Sequence, residues 1–308
     1  MVGNQQIAVI GAGLMGHGIA LTFANSGHPV AVMDPVEDSL RSVRQRVSDS
    51  LRLLGTPDAR IAKTLEKIEL FDSVPMAVKN AAFVFEAAPE NLDLKRSIFG
   101  EIEDHAPERA LLASNTSAIP ISRITGELSS RHRALGTHWW NPPHMIPLVE
   151  VIKTEWTNAD CAQSAFDFLK GAGKTPVMVE RDIPGFIGNR LQHALWREAM
   201  SLVTNGICTA EAVDNVVKAG FGRRLAVLGP LENADLIGID LTQDIHRQLL
   251  PDLETSGEPS PHLQELLEKG RTGIAAGAGF RDWNDGDLAA VKARIAGHLR
   301  KLEAILPN

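Results

Sequence analysis

The chain has 308 residues, more than one small core usually organises, so at least one internal domain boundary is expected. Hydrophobic residues at 44% and charged residues at 22% are the proportions of a packed globular protein and argue against a disordered chain or a disulfide scaffold. Lys and Arg number 31 against 38 Asp and Glu, a net charge of -7 without a basic stripe, which argues against a nucleic-acid partner.

In chain order, Gln6 to Ile10 is a short apolar, β-branched run ending at glycine, and from Leu14 to Ser26 apolar residues recur at helical spacing until Gly27. Pro29 to Met33 predicts a second strand. The spacing predicts a long helix over Ser39 to Leu54, with Arg41, Arg44 and Arg46 on a solvated face. Further strands are predicted at 82–86, 110–114, 134–138, 148–152 and 176–180, with helical patterns between several of them. Such alternation builds a doubly wound, mainly parallel sheet. After Asp182-Ile-Pro-Gly185 the character changes: Ile187, Leu191, Leu195, Ala199 and Leu202 keep a helical spacing and no convincing strand follows. The expected fold class is therefore α/β, a Rossmann-type sheet domain over 1–183 followed by an all-helical domain over 184–308. Gly270 to Gly279, rich in Gly and Ala, is expected to be a loop.

Cys161 and Cys208 lie far apart without a C-x-x-C motif, which argues against a zinc site or redox pair; both are read as buried thiols in a reducing compartment. The first residues lack a basic and then apolar leader pattern, and long apolar stretches are interrupted by charge, as by Arg190, Arg197 and Glu198. A cytoplasmic location without membrane attachment is expected. Tyrosine is absent, which removes the Tyr-x-x-x-Lys base of short-chain dehydrogenases.

Gly11-Ala-Gly13-Leu14-Met15-Gly16 matches G-x-G-x-x-G. It follows a predicted strand, opens a predicted helix, and precedes Asp34 at the end of the next strand, the context in which this motif binds a dinucleotide. Gly11 allows the tight turn, Gly13 lets the backbone approach a pyrophosphate, and Gly16 lets helix and strand pack closely. The bland alternative is a glycine turn that binds nothing. Asp34 can accept from the ribose hydroxyls and would repel a 2′-phosphate, so NAD rather than NADP is the expected cofactor. Arg41 and Arg44 fall in the following helix, where a solvated face is the expected role.

If a dinucleotide exchanges hydride with a carbon bearing oxygen, a base must take the hydroxyl proton, and histidine suits that task. Among ten histidines, His138 stands out because it ends a predicted strand on the carboxyl side of the sheet. Glu150 follows on the next strand, and a carboxylate paired with an imidazole fixes its tautomer and stabilises its protonated form. On spacing alone, a structural histidine with an unrelated surface glutamate is an equal alternative.

The glycine motif, Pro89-Glu-Asn-Leu-Asp-Leu-Lys95, Ala113-Ser-Asn-Thr-Ser117, His138-Trp-Trp-Asn-Pro142, Leu148-Val-Glu-Val151 and Asp182-Ile-Pro-Gly-Phe-Ile-Gly-Asn-Arg190 together resemble the 3-hydroxyacyl-CoA dehydrogenase family, in order and over nearly the whole chain. The resemblance implies NAD as oxidant, a small-molecule acyl substrate, a helical C-terminal domain that pairs two subunits into a homodimer, His138 as acid/base and Glu150 as its partner. It also implies that Ser117 and Asn189 hydrogen-bond the reacting oxygen. The cofactor contacts it implies lie at Gly11, Gly13, Leu14, Met15, Gly16, Asp34, Glu90, Lys95 and Asn115. From the residues alone, Ser114–Ser117 reads as a polar turn and Asn189 as a helix start.

The chain departs from the acyl-CoA members in having Trp139-Trp140 where two phenylalanines are usual, and in having no lysine before Lys63 to hold CoA phosphates. Asn141-Pro-Pro-His144, Ile146-Pro-Leu-Val-Glu150 and Arg197-Glu-Ala199 look more like family members that oxidise small free acids, including a branch acting on pyridine carboxylates; gulonate- and carnitine-type dehydrogenases belong to the same wider group. Arg223 and Arg224 stand where acyl-CoA members commonly have an uncharged pair, and could fork onto a substrate carboxylate; solvated surface arginines are the equal alternative. Two other classes are weighed: a non-catalytic NAD-binding structural or sensor protein of the same fold, and a phosphogluconate-type hydroxyacid dehydrogenase. The latter needs a lysine that Gly185-Phe-Ile-Gly-Asn-Arg-Leu191 lacks.

Overall fold

A computed structural model describes residues 5–306. The strands are β1 (Ile7–Ile10), β2 (Val30–Met33), β3 (Ile68–Phe71), β4 (Phe83–Glu86), β5 (Leu111–Ser114), β6 (Ala134–Trp139), β7 (Leu148–Ile152) and β8 (Thr175–Val179). Between them run α1 (Leu14–Asn25), α2 (Glu37–Arg41), α3 (Val43–Leu53), α4 (Asp58–Glu66), α5 (Val74–Val78), α6 (Leu92–His105), α7 (Ile121–Thr125) and α8 (Ala159–Gly171). From there the described chain is helical: α9 (Gly188–Thr204), α10 (Ala210–Ala219), α11 (Pro230–Ile237), α12 (Ile239–Leu249), α13 (Pro261–Glu268) and α14 (Asp287–Ile305).

The eight strands form one sheet in the order β3-β2-β1-β4-β5-β6-β7-β8. All neighbours are parallel except β6 and β7, which run antiparallel. The strand order reverses between β1 and β4, the place at which open α/β sheets bind nucleotides beyond the carboxyl ends of their strands. Both faces are covered by apolar clusters, one built on Val9, Phe23, Val32, Phe85 and Phe168, the other on Ile10, Val84, Phe99, Ile102 and Leu112. This double burial is why β1, β2, β4 and β5 read as continuous apolar runs.

Three features differ from the sequence pattern. The long helix expected over 39–54 breaks at Ser42, because the Ser39 carbonyl accepts from the Ser42 hydroxyl at 2.9 Å and from the Arg46 guanidinium at 2.9 Å. The edge strand β3 was not expected; its pattern is half-buried and carries Glu69, so it lacks the apolar signature of its neighbours. Cys161 and Cys208 are free but only half-buried, so the reading of both as buried thiols does not hold. Ile274–Ala276 forms a single 3-10 turn inside the expected Gly- and Ala-rich loop.

The chain divides into two compact units, Met1–Arg190 with Leu299–Asn308, and Leu191–His298. Among the described residues no helix is long and apolar enough to cross a membrane.

Candidate active site

The glycine loop joins β1 to α1 at the strand-order reversal. A Cβ on Gly16 would stand 1.7 Å from the Gly11 carbonyl oxygen, and one on Gly11 would stand 2.6 Å from the Ala87 oxygen, at a φ of +104°. Both glycines are thus required by close backbone approach. Gly13 is different: its Cβ would meet nothing within 4 Å, and it caps α1 without a side-chain hydrogen bond. Open space in front of an uncapped helix N-terminus is where a pyrophosphate fits. Leu14 is exposed beside it, and Met15 packs on the core.

Asp34 follows the end of the second strand, as expected, and carries a structural role that the sequence pattern does not show. Its Oδ2 accepts from the Ala12 amide at 2.7 Å and its Oδ1 from the Val36 amide at 2.9 Å, so it also ties the glycine loop to the β2 end. A carboxylate offers about four lone-pair sites, which leaves acceptors for ribose hydroxyls. Arg46 was expected on a solvated face; instead it donates to the carbonyls of Ala12, Gly13 (3.1 Å) and Ser39. Arg44 likewise turns inward, to the Ile68 carbonyl at 2.7 Å, while Arg41 pairs with Glu37 at the surface. Helical spacing carries no signal for such long-range caps, so these two arginines were missed.

The strand pair β6 and β7 sets His138 directly opposite Glu150 in the antiparallel register. His138 is 3% exposed and Glu150 1%. His138 Nδ1 lies 2.7 Å from Glu150 Oε2, while Glu150 Oε1 accepts from the amides of Ile187 at 2.9 Å and Gly188 at 3.0 Å. Burial alone would raise the pKa of Glu150, but the hydrogen bond from His138 and the two amides hold it below the ordinary value. An ionised Glu150 can only accept, so Nδ1 carries the proton and Nε2 keeps its lone pair. The rings of Trp140 and Phe186 stand 5.4 and 5.5 Å from that of His138. Phe186, fully buried at a φ of +50°, belongs to this wall and was not singled out in the sequence.

A second polar network lies at the ends of β4 and β5. Glu90 Oε1 accepts from the Thr116 hydroxyl at 2.6 Å and from the amides of Ser117 at 3.1 Å, Ala118 at 3.0 Å and Ile119 at 3.4 Å. Partial burial would raise its pKa; the Thr116 and Ala118 bonds and the nearby Lys95 charge lower it below the usual range. Ser117 is exposed, and its carbonyl accepts from Asn189 Nδ2 at 2.9 Å, so the structure brings these two sequence candidates together. Asn115 is buried, with its side-chain carbonyl on the Trp139 amide at 2.9 Å. Lys95 stands behind Glu90 rather than on the surface: it is fully buried against Glu86 at 2.7 Å. Glu86, also fully buried, is a site residue the sequence reading passed over; its signal is a carboxylate ending the apolar strand Phe-Val-Phe-Glu.

Beyond this network, His144 is largely buried, its ring centroid 6.4 Å from that of His17 and its Nδ1 close to Gly18. Burial, with the nearby charges of His17 and Lys174, lowers its pKa to about 4. Arg223 and Arg224, in the second unit, are both exposed on and just after the 3-10 turn Phe221–Arg223.

A doubly wound sheet, a glycine loop with room for a pyrophosphate, an acidic residue at the end of β2 and a buried His-Glu pair define a dinucleotide-dependent dehydrogenase. Residues 6–183 match the profile "3-hydroxyacyl-CoA dehydrogenase, NAD binding domain" and residues 185–283 match "3-hydroxyacyl-CoA dehydrogenase, C-terminal domain". The chain belongs to the 3-hydroxyacyl-CoA dehydrogenase family and is an NAD-dependent oxidoreductase acting on CH-OH. It is 33% identical to the 5-formyl-3-hydroxy-2-methylpyridine 4-carboxylate 5-dehydrogenase of Mesorhizobium japonicum, over 98% of this chain and 97% of the relative. It is 36% identical to the human mitochondrial hydroxyacyl-coenzyme A dehydrogenase, over 90% of each chain. A crystal structure of a 5-dehydrogenase of that pyridine carboxylic acid, described as an NAD+-dependent dismutase, superposes with a TM-score of 0.90 at 32% identity, covering 98% of both chains.

Proposed function

We propose that the protein interconverts a small free 3-hydroxy carboxylic acid and its 3-oxo form, with His138 as acid/base and Glu150 as the carboxylate that orients it. The observation that carries this reading is the buried 2.7 Å contact between His138 Nδ1 and Glu150 Oε2, which leaves Nε2 as the one basic nitrogen of the ring. In oxidation, His138 Nε2 takes the hydroxyl proton, the carbon-oxygen double bond forms, and the hydrogen on that carbon leaves as hydride. NAD, when bound, accepts that hydride. Glu150 stabilises the imidazolium; its own amide donors keep it ionised throughout. Ser117 and Asn189 hold the reacting oxygen, and reduction follows the same path reversed. The cofactor is assigned to Gly11, Gly13, Leu14, Met15, Gly16, Asp34, Glu90 and Asn115, with Lys95 acting from behind Glu90.

A free acid is favoured over a CoA ester by Trp139-Trp140 in place of a phenylalanine pair, by the absence of early lysines, and by the near end-to-end match with the pyridine carboxylate enzyme. We assign the substrate carboxylate to Arg223 or Arg224, whose guanidinium groups can bind it in a bidentate fork that a thioester cannot complete. The domains are taken as 1–183 and 184–308, the latter supporting a homodimer in the cytoplasm: α9 to α12 bury no residue, while Ile207, Val216, Val227, Leu231 and Leu236 are exposed. A test follows NADH absorbance over a panel of free hydroxy acids and their CoA esters. His138→Ala should lower kcat by roughly two to four orders of magnitude with NADH affinity intact, the usual worth of a positioned proton carrier. Near-normal turnover in that variant overturns the assignment of His138.

A further inference from the structure

The buried ion pair between Glu86 and Lys95 takes no part in the proton path; it lies directly behind Glu90, whose other oxygen holds the loop that carries Ser117. Both side-chain oxygens of Glu86 are engaged: Oε1 takes the Lys95 ammonium at 2.7 Å and the Ala88 amide at 2.6 Å, and Oε2 takes the Ser114 hydroxyl at 2.6 Å. Lys95 donates a second bond to the Ala88 carbonyl at 3.2 Å, and Nζ stands 3.7 Å from Glu90 Oε2. Glu90 thus has one oxygen facing a buried cation and the other collecting the Thr116 hydroxyl and the Ser117, Ala118 and Ile119 amides. Ser114 reaches the same loop from below, its Oγ accepting from the Thr116 amide at 3.3 Å.

Charge alone does not account for this arrangement as a stabiliser. Both partners are taken wholly out of water, and an apolar pair of the same volume is often as stable as a buried ion pair. What an apolar pair cannot do is pull one oxygen of Glu90 inward and so aim the other at the loop. The pair also ties Ala88 by both its amide and its carbonyl, in the segment whose Ala87 oxygen closes on Gly11.

We propose that Glu86 and Lys95 form a positioning pair, which fixes Glu90 and through it the 116–119 loop that presents Ser117 to the substrate. The proposal rests on the reading of Ser117 as a substrate contact. Glu86 is fully buried and acts by holding the Lys95 ammonium in place; among the described residues the other carboxylate that pairs with this ammonium is the half-exposed Glu90.

The test combines Glu86→Gln/Lys95→Met, which removes both buried charges together, with Glu90→Gln, a half-exposed change that leaves the core intact. Hydrogen exchange of the 117–119 amides is read by mass spectrometry, alongside NADH affinity by fluorescence and the division of the activity change between kcat and KM. Expected are a double variant folded near the parent Tm, exchange of these amides at least tenfold faster in both variants, and a kcat reduced tenfold or more. If either variant folds and keeps the parent's exchange at 117–119, the pair is only a packing element and the proposal falls. His138→Ala should keep the parent's exchange at these amides, so an error in the assignment of His138 appears in turnover and an error in the positioning pair appears in exchange.

Discussion

The two units of this chain handle apolar surface in opposite ways. In the first, β1, β2, β4 and β5 are buried along their whole length and lie between two apolar clusters. In the second, α9 to α12 contribute no buried residue, and Leu231 and Leu236 are 81% and 72% exposed. A sheet covered on both faces closes its own core, whereas a helix layer with its apolar stripes outward completes a core only with something laid on it. The pair proposed for proton transfer, His138 and Glu150, lies in the self-contained unit, where strand register holds it.

Matched truncations would break that comparison most directly. Leu51→Ala, at a fully buried position of α3, should cost about 2–5 kcal/mol, and its fall in Tm should not depend on protein concentration. Leu236→Ala removes the same atoms from an exposed position in α11. Its effect should appear through association: a lower mass by light scattering, and a Tm loss that grows as the protein is diluted. If Leu236→Ala leaves the mass and the dilution dependence unchanged, the outward face of α11 is not where two copies meet.

The same contrast governs how much could be read from the residues alone. Seven strands are visible as apolar, β-branched runs, six of them because burial on both faces leaves little alternation, and β8 although its residues alternate between exposed and buried. β3, exposed at the sheet edge and interrupted by Glu69, is not. His138 and Glu150 could each be named, but their contact is a product of antiparallel register between β6 and β7, which spacing does not specify. Arg46 and Glu86 escaped because periodicity reports which face a residue occupies and not which distant carbonyl or ammonium it meets. In the second unit the apolar pattern announced helices correctly and was silent on what covers them.

Asp34 sharpens the picture of the first unit as one in which binding groups are also structural ties. From sequence, Asp34→Ala simply relaxes the preference for NAD over NADP. Because this carboxylate also holds the Ala12 and Val36 amides, the variant should lose affinity for both cofactors, with NADH bound about 10- to 100-fold more weakly as charge-assisted bonds disappear. The NAD to NADP ratio should fall as well, since the repulsive charge is gone. Equal use of both cofactors by the parent protein would remove the premise, and an unaltered NADH affinity in the variant would show that the tie to the glycine loop is unimportant.

The smallest effect concerns His144, a polar group that the first unit buries largely without compensation. Its pKa is lowered from 6.5 to about 4 by burial and by His17 and Lys174, so the folded protein keeps the ring neutral where the unfolded chain protonates it. Between those values the unfolded state binds more protons, and stability must decline as pH falls from 6.5 toward 4, then level off with respect to this group. After allowing for the part of the ring that solvent reaches, the decline is on the order of 2 kcal/mol. Glu90, Glu103 and Glu150 have lowered values and weaken the fold only below the ordinary carboxylate pKa of 4.5, so their contribution lies at the acid end. His17 is also lowered and remains in any His144 variant. Comparing denaturant unfolding of the parent and His144→Gln from pH 7 to 4 therefore isolates one ring: the variant should show the shallower slope, and two parallel curves would mean that His144 titrates alike in the folded and unfolded chains.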